Sequence, residues 1–361
     1  MGNAPKIAID ARMVSRSGIG TCIQHWLRDV GYAVALGDPK DLDAYKEVPK
    51  HIPFISGIYG YKEQLKFPYS KLRKEKPDVL HIPHCNVPLF YRGKMIVTVH
   101  DLTHLVYPEF LPMKVVHLYF KFIFWFICKR ANRILTDSES TKRDLLRFYK
   151  ADESKMTVVP LGVGSEFVRK SKSDVEYLYE KFNIPRDKKI ILYVGNLLPH
   201  KNLNGLLEGF AQMEGRENCR LVLVGKAFDG RTRETREKDL GVESLTIHAG
   251  MVSQEDLVNF YNLADLFVLP SLYEGFGLPV LEAFACGTPV ACSNVSSLPE
   301  VGGNVAKYFD PKDAASIARA LENAIDDKGK YDSEIDAWVS KFTWENSARQ
   351  IREIAAEVAA K

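Results

Sequence analysis

The chain has 361 residues, is 46% hydrophobic and 26% charged, and carries a formal net charge of +3. Its length exceeds the ~150 residues expected of one domain. The composition excludes a disordered, collagenous or low-complexity chain, and so small a net charge argues against a general nucleic-acid binder. Six cysteines, Cys22, Cys85, Cys128, Cys219, Cys286 and Cys292, are scattered without a C-x-x-C pair or zinc-finger spacing. Neither structural zinc nor a disulfide framework is expected, and a reducing, cytoplasmic setting follows. No signal peptide is read at the start, where Lys6 leads straight into Ile7-Ala8-Ile9-Asp10. The most apolar stretch, 115–128, is about 14 residues long and broken by His117 and Lys121, short of the ~20 that span a bilayer.

In chain order, strands are expected at 6–10, 32–36, 78–82, 95–100, 133–137 and 157–160. A second set is expected at 189–195, 220–225, 245–249, 266–270, 288–292 and 306–309. Most are continuous apolar runs, the mark of parallel strands covered on both faces. Helical periodicity fills 203–213, 254–263, 279–285, 313–325 and the tail 344–361. Two successive strand–helix series imply two doubly wound α/β domains, with a boundary near 162–173 where Gly162, Gly164 and a Lys/Ser-rich stretch interrupt the pattern. Ligands of such sheets sit beyond the carboxyl ends of the strands.

The segment 266–287 concentrates the chemistry. A strand ends near Pro270, a loop carries Glu274-Gly275-Phe276-Gly277, and Leu278-Pro279 opens a helix. Freed backbone N–H groups and a helix N-terminus aimed at one point make an anion site suited to phosphate. Glu274 stands at its mouth, and Glu282 lies one turn into the helix.

This segment resembles the signature of retaining glycosyltransferases of family 4, which have the two-domain GT-B fold. The resemblance extends through Ser17-Gly18-Ile19-Gly20, Thr98-Val99-His100-Asp101 with Tyr107-Pro108-Glu109, Ser138-Glu139-Ser140 and Val159-Pro160-Leu161-Gly162. It continues in Tyr193-Val194-Gly195-Asn196 with His200-Lys201-Asn202, Leu298-Pro299-Glu300 and Phe342-Thr343-Trp344. Among subgroups it is nearest to the mannosyltransferases of surface-polysaccharide assembly.

The resemblance implies two Rossmann-like domains facing a cleft. Residues 1–165 with 344–361 would bind the acceptor, 166–343 would bind the nucleotide sugar, and the C-terminal helix would cross back to the first domain. It assigns Glu274, with the backbone of Gly275, Phe276, Gly277 and Leu278, to the donor hexose, and Glu282 to the ribose diol. Lys201 would neutralise the donor diphosphate, and His100 would contact the sugar near its reacting face. Gly18 and Gly20 would offer N–H groups to the diphosphate or acceptor. Gly225, Lys226, Met251 and Val252 would meet the base.

At the family's arginine position, five residues before the lysine, stands Asn196, which is counted with the donor-binding residues; fewer positive charges then meet the diphosphate, and whether Lys226 or Arg231 compensates is open. The implied reaction is metal-independent, cofactor-free transfer of a hexose from a UDP- or GDP-sugar to a glycan or lipid-linked hydroxyl.

Other readings leave residues unexplained. For a nicotinamide dehydrogenase, Gly18-x-Gly20 and Asp38 fit, but Ile23 occupies the third glycine position and Glu274–Glu282 would have no role. Gly225-Lys226 is followed by Ala227, which excludes a Walker lysine. Asp41-Leu42-Asp43 imitates a metal-binding Asp-x-Asp but is expected in a polar loop with no strand feeding it. A GT-B nucleotide-sugar epimerase would share the site but need further acid/base carboxylates.

Charge is unevenly divided: residues 1–165 carry 25 Lys+Arg against 16 Asp+Glu, and the remainder 24 against 30. Basic clusters lie at 62–76 and 121–150, the second overlapping the aromatic run 118–127. That run is either a buried helix or a surface for peripheral association with the inner face of the cell membrane.

Overall fold

A computed structural model describes residues 4–57, 61–110, 114–196, 198–226 and 236–361. The chain divides into two compact units, Met1–Gly162 with Thr343–Lys361, and Val163–Phe342. Both are built as the continuous apolar runs require, on wholly parallel sheets.

Among the described residues, the first unit has a seven-stranded sheet in the order β3-β2-β1-β4-β5-β6-β7. Its strands are β1 (Ile7–Asp10), β2 (Val34–Gly37), β3 (Lys50–Pro53), β4 (Val79–Ile82), β5 (Met95–Val99), β6 (Arg133–Thr136) and β7 (Met156–Val158). Strand β3 is absent from the sequence expectation. Of its four residues only Ile52 is buried, so it carries no apolar run, and Pro53 suits an edge position. The order reverses between β1 and β4, the point where an open α/β sheet leaves room for a ligand.

The helix Trp344–Ala360 belongs to this first unit. Thr343 caps it by accepting from the Asn346 N–H. Its buried stripe, Trp344, Ala348, Ile351, Ala355 and Val358, has helical spacing. Trp26 on the helix Ser17–Asp29 donates its indole N–H to Ser347 Oγ at 3.0 Å, and His25 stacks on Trp344.

In the helix Lys114–Arg130 the aromatic run divides between a buried and an exposed face. Phe120, Ile123, Phe124 and Ile127 enter the core with Leu80, Val97 and Ile134, while Val115, Leu118, Phe122 and Trp125 are exposed. Asp41 departs from the expected loop: directly after β2, Pro39–Leu42 forms a short helix, which Asp43 ends. Asp38 caps that helix by accepting from the Lys40 N–H, which gives it a local structural role.

The second unit has a six-stranded sheet in the order β10-β9-β8-β11-β12-β13. The strands are β8 (Lys189–Val194), β9 (Cys219–Val224), β10 (Thr246–Gly250), β11 (Leu266–Leu269), β12 (Val290–Ser293) and β13 (Lys307–Phe309). Its order reverses between β8 and β11. The helix Leu203–Gln212 packs on the sheet through Leu206, Leu207 and Phe210, beside Ile317 and Leu321 of the helix Ala314–Ala324.

Candidate functional site

In the second unit, three neighbouring strands run out into glycines. Gly195 donates to Val224 O at 2.9 Å, and Gly225 donates to Gly250 O at 2.8 Å. Gly225 has φ +140°, and a Cβ there would lie 2.0 Å from the Gly195 carbonyl oxygen, so no other residue fits. This leaves bare backbone at the ends of β8, β9 and β10. Lys226 and Met251, which follow it, are exposed, and Val252 is half-buried. Asn196 is exposed, and its carbonyl accepts from the Leu198 N–H and the Tyr193 hydroxyl. Arg231 lies outside the described residues.

Past β8, Pro199–Lys201 forms a single 3₁₀ turn ended by Asn202 at φ +55°. The Asn202 amide donates to Pro270 O at 3.1 Å and Pro311 O at 2.7 Å. The Leu272 N–H reaches His200 O at 2.7 Å. The turn is thereby fastened to the segment after β11, across the point where strand order reverses. Lys201 Nζ consequently meets Glu274 Oε1 at 2.6 Å, with side chains 19% and 13% exposed. Ser271 Oγ donates to the same oxygen at 2.6 Å.

The glycine loop is held from behind. The Glu274 N–H donates to Ser296 Oγ at 2.9 Å, while Ser297 Oγ is placed against the carbonyls of Glu274 and Phe276. Phe276 buries its side chain beside Phe342, so what it can offer a ligand is backbone. Gly277, at φ +117°, caps the helix Leu278–Ala285, and a Cβ there would lie 2.8 Å from Leu298 Cδ2. Gly275 is half-buried, as is Leu278 at the first position of the helix, with Pro279 in its first turn.

Glu282 stands on the helix Leu278–Ala285. Its Oε2 accepts from the Tyr261 hydroxyl at 2.7 Å. Burial, with Glu166 nearby, pushes its pKa up to about 7 despite that hydrogen bond.

The first unit gathers a second polar set at the carboxyl ends of β1, β4, β5 and β6. Asp10, wholly buried, receives the Arg12 guanidinium at 2.8–3.1 Å, and Arg12 Nη1 reaches Glu63 Oε2 at 3.0 Å. Burial alone would raise the Asp10 pKa; the charges of Arg12 and His84 outweigh it and hold the carboxyl well below its usual range. His84 Nε2 lies 3.5 Å from Asp10 Oδ2, and Asn86 Nδ2 donates to Glu63 Oε2 at 3.2 Å. These residues straddle the β1–β4 reversal, the counterpart of the place taken by Lys201 and Glu274 in the other sheet.

His100, just past β5, has Nδ1 at 2.6 Å from Asp137 Oδ2 and Nε2 at 3.1 Å from Pro83 O. Burial works against its charge, but the Asp137 carboxylate prevails and raises the pKa. Its ring is thus engaged inside the first unit, where the sequence suggests one open towards a sugar. Gly18 is exposed at the start of its helix, and a Cβ there would meet nothing within 4 Å. Gly20 differs from expectation: its N–H donates to Arg16 O at 2.8 Å, and a Cβ would lie 2.7 Å from Val14 O. Its glycine serves chain packing. Among the described residues, no group of three or more His, Cys, Asp or Glu is arranged to hold a metal ion.

Sequence reasoning missed Ser271, Ser296, Ser297, Tyr261, Asp10, Arg12, Glu63, His84 and Asp137. The Asp10-Ala11-Arg12 tripeptide at the end of the first strand was the available signal, because a charged pair closing an apolar strand needs a partner or a ligand. The serines carry no pattern of their own.

Two family models match the chain: Glycosyl transferases group 1 over residues 174–337 and Glycosyltransferase Family 4 over residues 28–167. O-antigen chain mannosyltransferase B of Escherichia coli is 30% identical over 285 residues, 77% of this chain and 74% of that protein. O-antigen chain mannosyltransferase RfbU of Salmonella typhimurium is 26% identical over 337 residues, 92% and 87% of the two chains. The structure of Anabaena Alr3699/HepE in complex with UDP and glucose is similar in fold, with a TM-score of 0.78 at 19% identity, covering 98% of this chain and 99% of that one. Two Rossmann-like sheets, a glycine-lined loop at the reversal of the second, and these matches lead to one assignment: the chain belongs to glycosyltransferase family 4 and has the GT-B fold.

Proposed function

We propose that this glycosyltransferase moves a hexose, mannose by the analogy of its relatives, from a nucleoside diphosphate to a hydroxyl of a growing surface polysaccharide. In this reading the configuration at the sugar carbon is retained, and neither metal nor cofactor is required. The observation that carries it is the Lys201–Glu274 pair at 2.6 Å beside a glycine loop that opens a helix. The pair sets a cation for phosphate next to a carboxylate for sugar hydroxyls.

A bound diphosphate would take Lys201 as a partner, with the N-terminus of Leu278–Ala285 adding positive potential where leaving-group charge develops. Glu274 would turn to the hexose hydroxyls while Ser271 holds its Oε1. Glu282 would accept from the ribose diol, and the backbone at Gly225, with Lys226, Met251 and Val252, would face the base. UDP and GDP both suit this arrangement. No side chain is assigned as a covalent nucleophile; the acceptor attacks from the face the diphosphate leaves, and the departing β-phosphate takes its proton. His100 would join by exchanging the Pro83 carbonyl for a substrate oxygen. The second unit binds the donor and the first the acceptor, a glycan or lipid-linked glycan.

The test is a thermal-shift panel of UDP, GDP, ADP and dTDP, followed by turnover of the matching nucleotide sugars with chelator present. Stabilisation by one diphosphate and slow release of it from its sugar are expected, with retained configuration when acceptor is supplied. Isomerisation of the sugar, or loss of all turnover on chelation, overturns the reading.

A further inference from the structure

Among the described residues of the first unit, none covers the outer face of the helix Lys114–Arg130. Val115, Leu118, Phe122 and Trp125 follow one another at intervals of three or four residues and form a single exposed stripe. Leu118 is 66% and Trp125 48% exposed, although the opposite face of the same helix is packed in the core. Phe122 and Trp125 lie with ring centroids 6.0 Å apart. A large, contiguous, exposed apolar face signals an interaction surface.

Charge identifies the occupant. Exposed Lys121 borders the stripe and exposed Lys129 continues it one turn beyond Trp125; residues 114–130 contain no Asp or Glu. The neighbouring helix Glu139–Tyr149 is tied to this one by Tyr149 Oη donating to Lys121 O at 3.2 Å. It ends with exposed Arg147, Phe148 and Lys150, while its acids, Glu139 and Asp144, stand in the preceding turns. Between the helices a groove of about 300 Å³ is lined by Leu105, Pro108, His117, Lys121, Phe148 and Tyr149. Aromatic and aliphatic side chains rimmed by cations match a bilayer interface that presents hydrocarbon beneath anionic headgroups. A second copy of the chain would bring Lys121, Lys129, Arg147 and Lys150 towards their own equivalents, which like-charge repulsion opposes.

We infer that this face docks the protein on an anionic membrane surface, with Leu118, Phe122 and Trp125 inserted at the headgroup level and Lys121, Lys129, Arg147 and Lys150 over the phosphates. The inference is independent of the donor reading, because binding is read without any nucleotide sugar.

The test is flotation of the purified chain with vesicles of equal parts phosphatidylglycerol and phosphatidylcholine, and with phosphatidylcholine alone. The expected result is binding to the first at least tenfold tighter than to the second. Raising salt from about 0.1 M to about 0.5 M should weaken it steeply as screening sets in. Leu118→Ser with Trp125→Ser should lose at least tenfold on both vesicles. Lys121→Gln with Lys129→Gln should lose affinity only for the anionic ones. All four positions are exposed, and an unchanged unfolding midpoint would verify that each variant is folded. No flotation at low salt, equal flotation of the Leu118→Ser/Trp125→Ser protein, or a concentration-dependent dimer abolished by that double substitution would overturn the inference.

Discussion

Glu282 is a carboxyl whose protonated form folding favours, and the linkage has a definite sign. Its pKa rises from an ordinary 4.5 to about 7 because burial, and then the neighbouring Glu166, disfavour the charge. A raised folded-state value means that the group contributes stability in full below the unfolded pKa. That contribution is lost as the pH climbs through the folded one. Glu282→Gln keeps a carbonyl oxygen for the Tyr261 hydroxyl, which reaches Oε2 at 2.7 Å, and removes the titration. Between about pH 5 and about pH 8, wild type should therefore lose roughly 2–3 kcal/mol relative to the variant. Urea unfolding of both proteins at the two pH values measures it, and taking the difference cancels every other titrating group. A gap between the two proteins that stays the same at both pH values would refute this account of the Glu282 environment. In the proposed function the same carboxylate, once ionised, accepts from the ribose diol. Nucleoside diphosphate affinity of the wild type should accordingly rise through neutral pH while stability falls.

Three further outcomes are expected. Glu274→Ala should lower kcat/KM by about 10²-fold or more, while Glu282→Ala should chiefly raise the donor KM; near wild-type turnover in the first variant would defeat the assignment of Glu274. Asp137→Asn should lower the pKa of His100, whose Nδ1 lies 2.6 Å from Asp137 Oδ2, and imidazole NMR titration would show it. The stabilisation of wild type by that pair is present below the unfolded histidine value and lost as pH rises through the folded one. Gly225→Ala should destabilise the second unit by several kcal/mol, whereas Gly18→Ala, with open space around it, should be neutral or stabilise by up to about 1 kcal/mol; thermal melts compare them directly.

Sequence pattern revealed the doubly wound sheets because a parallel strand buried on both faces must be apolar throughout, as Ile190-Ile191-Leu192 and Phe267-Val268-Leu269 are. Edge strand β3 escaped for the converse reason: its one buried residue, Ile52, makes no run. Lys201 and Glu274 were legible since the glycine loop and helix start announce a phosphate-sized opening. The hydroxyls that support Glu274 were not. Ser271 and Ser296 act through hydroxyls that only the fold brings to Glu274, and a lone serine in a loop looks the same whether or not it points at a carboxylate. The aromatic run 118–127 posed a choice between core and surface that hydropathy could not make, because large apolar side chains stand on both faces of the helix. Its packing against Leu80 and Val97 on one side alone decides the matter.

The helix Trp344–Ala360 also has a consequence for biosynthesis. It completes the unit begun by the first residues, joining Trp26 to Ser347 and Lys94 Nζ to Ala359 O at 2.7 Å. A ribosome delivers the whole of Val163–Phe342 before that helix exists. The unit translated second can therefore close its own sheet first, while the unit translated first waits with Trp26 lacking its native cover. During that interval the nascent chain exposes apolar surface that chaperones recognise. A stop codon ahead of Trp344 would leave that surface permanently uncovered, placing the lesion at the opposite end of the sequence from the missing residues.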